Sequence, residues 1–121
     1  MGKKILVVDD DELVLIALQE LLTPLGFSVT ASSSGPAALE KIGAYQYDLV
    51  ILDVIMPEMC GFEVCQKIRQ MGSYTETPVI MLTAKSGEED KRRGVEVGAN
   101  LYLSKPIAPR RLIVLVEEAM K

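Results

Sequence analysis

The sequence predicts an α/β protein: a five-stranded parallel sheet, doubly wound, with helices on both faces. Two observations predict it. Five short apolar runs recur, "ILVV" (5–8), "FSVTA" (27–31), "DLVILDV" (48–54), "PVIMLTA" (78–84) and "LYLS" (101–104), rich in Val, Ile and Leu and mostly without alternation. Strands buried on both faces read this way, because helices cover each face of a parallel sheet. A segment with helical spacing follows every run, and regular strand-helix alternation is the mark of a doubly wound sheet.

The first run ends in three aspartates, Asp9, Asp10 and Asp11, and Asp11 suits the N-cap of the helix that follows. That helix, "DELVLIALQELLTPLG" (11–26), sets Leu13, Ile16, Ala17, Glu20 and Leu21 around a broad apolar stripe and has Gly26 as its stop. After the second run, "SGPAALEKIGAYQ" (34–46) has Ser34 as N-cap and Pro36 in the first turn, where a missing N–H costs nothing. After the third, "PEMCGFEVCQKIRQMG" (57–72) carries Phe62, Val64, Cys65, Ile68 and Met71 and stops near Gly72. "SGEEDKRRGVEVG" (86–98) has acids early and bases late, in keeping with the helix dipole. "APRRLIVLVEEAMK" (108–121) closes the order. Its "LIVLV" (112–116) is five apolar residues in succession, more than one core stripe covers, so Ile113 and Val114 are expected at the surface. No repeat, linker or low-complexity stretch divides residues 1–121, which read as one domain.

Composition narrows the chemistry. The chain has no histidine, which removes imidazole bases, Ser-His-Asp triads and His-ligated metals together. Cys60 and Cys65 are too few for a disulfide framework and lack C-x-x-C spacing, so free thiols in a reducing compartment are expected. A net charge of −4 gives no general attraction to nucleic acid or anionic lipid. No segment reaches the roughly 18 apolar residues of a membrane span, and the apolar run after "MGKK" is too short for a signal peptide. A cytoplasmic protein without direct membrane or nucleic-acid binding is expected.

In open sheets of this kind ligands sit beyond the carboxyl ends of the strands, at a topological switch point. The residues there are Asp9 and Asp10 after the first run, Asp53 at the third, Thr83 at the fourth and Lys105 at the fifth. Carboxylates crowded into one crevice repel, and a hard cation among them relieves this; few protein oxygens plus waters suit Mg²⁺. The aspartates lack the spacing, Gly and terminal Glu of an EF-hand loop. A lysine beside such a metal points to an anionic substrate, and a phosphoryl group fits both. Asp53, ending the central "LVILD", is then the natural acceptor, with Thr83 able to donate its hydroxyl to a phosphoryl oxygen.

"LVVDDD", "LVILDVIMPEMCGFE", "PVIMLTA" and "GANLYLSKPI" together resemble the four signature blocks of two-component response-regulator receiver domains, the CheY-like family. The resemblance implies the flavodoxin-like (βα)5 sandwich. It implies Asp53 as phosphoacceptor, Asp10 as direct Mg²⁺ ligand, and Asp9 as an acid acting mainly through a metal-bound water. Asp53 and the backbone carbonyl of Ile55 complete the metal oxygens that it implies. Thr83 and Tyr102 match the hydroxyl and aromatic switch positions, and Lys105 the phosphoryl-pairing lysine, before a Pro106 bond that is commonly cis in the family. The implied donor is a histidine kinase or phosphotransfer protein, since this chain has no histidine of its own. The implied output is the face of the fourth helix, fifth strand and fifth helix, toward an output domain or a second copy. The resemblance makes the chain a signalling phosphoacceptor with slow autodephosphorylation and no other turnover.

Departures from the family pattern are local. Cys60 stands in "MCG" where Asp is common. Ile55 and Lys85 hold the variable positions two beyond the acceptor and the threonine; an apolar Ile55 hinders water and favours a long-lived phosphoaspartate. Asn100 and the mostly apolar last helix lack charges used in one dimer arrangement of the family. Two other chemistries fit less well. A haloacid-dehalogenase phosphatase wants a second acid two residues after the nucleophile, where Ile55 stands. A flavin carrier wants a phosphate-binding loop where Asp9 to Asp11 would repel phosphate. A receiver that acts without phosphorylation, as an interaction module, and an isolated receiver fragment of a longer hybrid protein are the remaining alternatives.

Overall fold

The computed structural model describes residues 2–121. Strands β1 (Lys4–Val8), β2 (Ser28–Ser32), β3 (Leu49–Leu52), β4 (Val79–Thr83) and β5 (Leu101–Ser104) form one parallel sheet in the order β2-β1-β3-β4-β5. Helices α1 (Glu12–Leu22), α2 (Gly35–Ala44), α3 (Gly61–Arg69), α4 (Glu88–Glu96) and α5 (Pro109–Ala119) alternate with them. Every residue of β3 and β4 is buried, whereas the flanking β2 and β5 are only partly covered. The unbroken apolar runs thus mark the middle of the sheet.

Successive side chains of a strand point to opposite faces, so each central strand feeds two cores. Leu6, Val8, Val50 and Leu52 pack with Ala38, Ile42, Phe62, Val64, Cys65 and Ile68 of α2 and α3. Ile5, Val7, Leu49, Ile51 and Ile80 pack with Leu15, Leu18 and Leu22 of α1 and with Leu112 and Val116 of α5. α4 buries only Gly94 and carries Glu88, Glu89 and Asp90 in its first turn.

The structure corrects several sequence expectations. In α1 it is Leu15, Leu18 and Leu22 that face the core, while Leu13 is 75% exposed and Ile16 47% exposed. A helix this rich in Leu and Ile offers several stripes at the same spacing, and docking on the sheet selects one. α1 also ends at Leu22, short of the expected stop; Thr23–Leu25 tightens into a 3-10 turn carrying Pro24, closed by Gly26 at φ +96°. A proline ring clashes with the carbonyl four residues back, which ends the α-helical ladder. β2 runs one residue later than expected, pairing Lys4 with Ser28 through to Val8 with Ser32. β3 stops at Leu52, leaving Asp53 just beyond the ladder. α3 starts at Gly61; residues 57–60 are a loop in which Glu58 adopts φ +69° and Met59 N–H donates to the Pro57 carbonyl at 2.7 Å. In α5, Val114 is 55% exposed and Ile113 is half-buried. Among the described residues no helix is long and apolar enough to cross a membrane.

At the amino ends of the strands one cation holds three segments together. Arg69, at the end of α3, donates to the carbonyls of Tyr74 (2.7 Å), Thr77 (2.6 Å) and Gly98 (2.8 and 3.1 Å) and to Asn100 Oδ1 (2.9 Å). Asn100 Oδ1 also accepts from Val79 N–H at 2.8 Å, at the entry to β4. Tyr74 Oη accepts from Tyr47 N–H at 2.9 Å and donates to the Tyr45 carbonyl at 2.5 Å, which fixes the entry to β3.

Candidate functional site

The crossover that separates β2 from β3 on either side of β1 opens a crevice where β1 and β3 end together, the switch point of the sheet. Val8 pairs with Leu52, and Asp53 N–H donates to the Val8 carbonyl at 3.0 Å. Asp9 and Asp53 therefore leave their strands side by side. Both are almost wholly buried, at 3% and 6% exposure, while Asp10 is exposed. Carboxylate oxygens of Asp9, Asp10 and Asp53 lie within 4.8 Å of one another.

Backbone groups orient these acids. Asp9 Oδ1 accepts from Asp11 N–H at 2.9 Å, and Asp53 Oδ1 accepts from Ile55 N–H at 3.2 Å. Asp11 is turned away as the α1 N-cap, accepting from Leu13 N–H at 3.0 Å, so the third aspartate of the run serves the helix. Lys105 enters from the end of β5: its Nζ lies 2.7 Å from Asp9 Oδ2 and 3.1 Å from Asp53 Oδ2. The Lys105–Pro106 peptide is cis. Lys105 N–H donates to the Thr83 carbonyl at 2.9 Å, tying the end of β4 to the end of β5.

The charges are unbalanced. One ammonium faces three carboxylates. Burial pushes the Asp9 carboxyl above its ordinary range, and the bond from Lys105 pulls against that without cancelling it. Burial also works against the charge on Lys105, yet its bonds to Asp9 and Asp53 outweigh burial and hold its pKa above the ordinary value. An oxygen-only set with two buried acids whose neutralisation is incomplete fits a hard divalent cation, and the few protein ligands leave room for waters in the manner of Mg²⁺.

The other predicted positions lie on the same side. Thr83 is fully buried and its Oγ1 accepts from Lys85 N–H at 3.2 Å. The Lys85 ammonium reaches Asp90 of α4 at 3.5 Å. The Ile55 side chain is 53% exposed beside the acceptor loop. Tyr102, on β5, donates its hydroxyl to the Lys85 carbonyl, and its ring lies nearly parallel to Phe62 at 6.4 Å. Burial, with Asp90 and Asp53 nearby, pushes the Tyr102 phenol up to about 12. Cys60 is half-buried at the N-cap position of α3 and makes no cap bond.

Gly61 is a site residue that the sequence reading passes over. A Cβ there would lie 2.2 Å from the Asp53 carbonyl oxygen and 2.8 Å from Val54 Cα, so the α3 backbone packs directly on the acceptor loop. Gly61 N–H in turn donates to the Val54 carbonyl at 2.8 Å. The signal available in sequence was a glycine at a helix start, too common to single out.

The family model described as the response regulator receiver domain matches residues 5–117. The chain is 42% identical over all 121 of its residues to the alkaline phosphatase synthesis transcriptional regulatory protein PhoP of Bacillus subtilis, covering 50% of that protein. It is 38% identical over 120 residues to the transcriptional regulatory protein GltR of Pseudomonas aeruginosa, again covering 50%. The chain thus spans about half the length of these curated relatives. Among solved structures, the chemotaxis protein CheY4 of Vibrio cholerae superposes with a TM-score of 0.94 at 34% identity, over 98% of this chain and 99% of that one. A beryllofluoride-activated DrrB receiver domain superposes at 0.91 with 36% identity, over 99% and 98% of the two chains.

Proposed function

The chain belongs to the response regulator receiver domain family of two-component systems, and from that premise we propose that Asp53 accepts a phosphoryl group and that residues 1–121 work as one receiver unit. The observation that carries this reading is the pairing of Lys105 Nζ with both Asp9 and Asp53 in one buried acidic crevice. A partly buried ammonium held by two carboxylates at the strand ends is a ready partner for phosphoryl oxygens, and the charge the acids leave uncompensated suits a divalent cation beside it.

In the reaction, an Asp53 carboxylate oxygen forms a bond to phosphorus as the bond from phosphorus to the donor nitrogen or oxygen breaks, and the leaving group carries away that electron pair. The donor is a histidine kinase or phosphotransfer protein, or a small acyl phosphate, because the chain has no histidine. Asp9, Asp10, Asp53 and the Ile55 carbonyl are the oxygens that would hold Mg²⁺, which supplies neutralisation of charge on the transferring phosphoryl. Lys105 moves from the carboxylates to a phosphoryl oxygen, an ion pair that exists only once the new charge is present. The Thr83 hydroxyl donates to another phosphoryl oxygen. Phosphorylation adds roughly −1.5 to −2 charge to an already acidic crevice, and Thr83 and Tyr102 carry that change to α4, β5 and α5. On that face Val95 is 69% exposed and Val114 55%, an apolar contribution suited to an output domain or a second copy. Ile55, an exposed apolar side chain two residues beyond the acceptor, offers no group to position an attacking water, so the phosphoaspartate is slow to hydrolyse; a lifetime of seconds in a phosphate-loss assay would contradict that.

Incubation with acetyl phosphate, with and without Mg²⁺, tests the reading by intact mass. One phosphoryl group should appear on the wild type in the presence of Mg²⁺ and none on Asp53→Asn. Absence from both, with Mg²⁺ binding demonstrated, would move the assignment to a phosphorylation-independent interaction module.

A further inference from the structure

We infer that Gly94, Phe62 and Arg93 form a purpose-built seat that holds the Tyr102 ring in its inward position, making Gly94 a positioning residue for the switch. The inference rests on the proposed role of Tyr102 and goes beyond it by naming what the ring sits in and what sets its balance.

Glycine in the middle of an exposed helix is a poor choice on propensity grounds, since alanine is the better helix former. Gly94 lies near the middle of α4 and is the only residue of that helix that is buried. Its reason is Tyr102. A Cβ on Gly94 would lie 2.6 Å from Tyr102 Cδ2 and 3.2 Å from Cε2, with Met81 Sδ behind at 3.4 Å. The clash falls on a ring that can rotate about its own side-chain bonds, so a methyl group there expels the ring and leaves the helix intact. On the other side the ring stacks on Phe62, with centroids 6.4 Å apart and planes 15° from parallel. Phe62 is itself buried and is capped by the Arg93 guanidinium 4.6 Å from its ring centre. The hydroxyl is held by the Lys85 carbonyl, two residues beyond Thr83.

The seat thus joins α3 (Phe62), α4 (Arg93 and Gly94) and the loop after β4 (Lys85) around one residue of β5. The bond to the Lys85 carbonyl and the stacking on Phe62 exist only with the ring inward, and Arg93 holds Phe62 in place for it. In the proposed switch the ring is inward when the Thr83 hydroxyl meets the phosphoryl group, so the seat biases that switch before any phosphoryl group is present and by linkage raises the affinity of the phosphoacceptor crevice for a phosphoryl mimic. A stacked ring pair such as Phe62–Tyr102 is worth about threefold to tenfold in such a balance.

The test uses the full chain with its tyrosine and phenylalanine rings isotopically labelled, in Gly94→Ala and Phe62→Leu variants beside wild type. Wild type should show cross-peaks between the Phe62 and Tyr102 rings without any mimic. Gly94→Ala should lose them while its amide spectrum stays dispersed, and should bind beryllofluoride with Mg²⁺ about threefold to tenfold more weakly. Phe62→Leu keeps the core filled and should weaken the mimic in the same direction, which guards against a Gly94 variant that fails to fold. Retention of the Phe62–Tyr102 cross-peaks in Gly94→Ala, or unchanged mimic affinity in both variants, would overturn the seat. Loss of those cross-peaks in Gly94→Ala, with no beryllofluoride bound even by wild type, would uphold the seat and refute the phosphoacceptor reading instead.

Discussion

The two ends of the sheet solve opposite problems with similar residues. At the amino ends Arg69 is a lone cation among neutral acceptors, and each of its nitrogens with a bond finds an amide or carbonyl oxygen at 2.6–3.1 Å. At the carboxyl ends Lys105 is a lone cation among three carboxylates that it does not neutralise. The first end is electrostatically finished. The second is left short of positive charge, as suits the proposed function, in which a cation and a transferable anion come and go there. On that proposal Arg69 secures the fold at one end and the acidic crevice carries the function at the other.

That contrast makes expectations of graded size. The largest is at the finished end: Arg69→Met strands the Tyr74, Thr77 and Gly98 carbonyls and should cost about 3 kcal/mol in urea unfolding. The folded variant should still take up beryllofluoride. A loss of mimic binding with stability intact would break the division between the ends. Next, Mg²⁺ at about a hundredfold above its Kd should raise wild-type stability by about 2.7 kcal/mol, and Asp53→Asn should forfeit most of that gain. Third, in chelator the same Asp53→Asn should be more stable than wild type by about 1 kcal/mol, because it thins a crowded charge cluster; destabilisation would mean the crevice is already balanced.

The effects that vanish at neutral pH concern proton chemistry. Burial raises the Tyr102 phenol from 10.0 to about 12, so on raising the pH the unfolded chain loses this proton first. The fold should therefore lose stability progressively between those two values and show no such loss below them, and Tyr102→Phe should flatten the slope in alkaline urea titrations. Burial likewise lifts the Cys65 thiol to about 11, while Cys60 is half-buried beside the acceptor loop. Under mildly alkaline alkylation, peptide mapping should find Cys60 modified first and Cys65 only on unfolding.

Much of the working end was legible because strand termini can be read from where apolar runs stop. "LVVDD", "LVILD" and "LYLSK" mark three exits, and a parallel sheet brings those exits to one side. What the sequence did not disclose depends on contacts between distant segments. Arg69 looks like a solvated base in a last turn, yet its acceptors lie up to 31 residues away. Asn100 reads as a missing charge, but its side-chain oxygen joins Arg69 to the entry of β4. Gly61 and Gly94 look like ordinary glycines until the Asp53 carbonyl and the Tyr102 ring are placed against them. The buried face of α1 is hidden from the sequence for a related reason: the helix carries more apolar residues than one stripe needs, and only the sheet decides between Leu13 and Leu15.

The central claim is that the under-neutralised crevice is built to receive a phosphoryl group on Asp53. Fluorine NMR of the full chain with beryllofluoride tests it most directly, recorded with Mg²⁺, with chelator, and with Asp53→Asn. Bound-fluoride resonances that appear only in the wild type and only with Mg²⁺ are the expected result. Equal signals from Asp53→Asn, or none from wild type while Mg²⁺ binds, would contradict it.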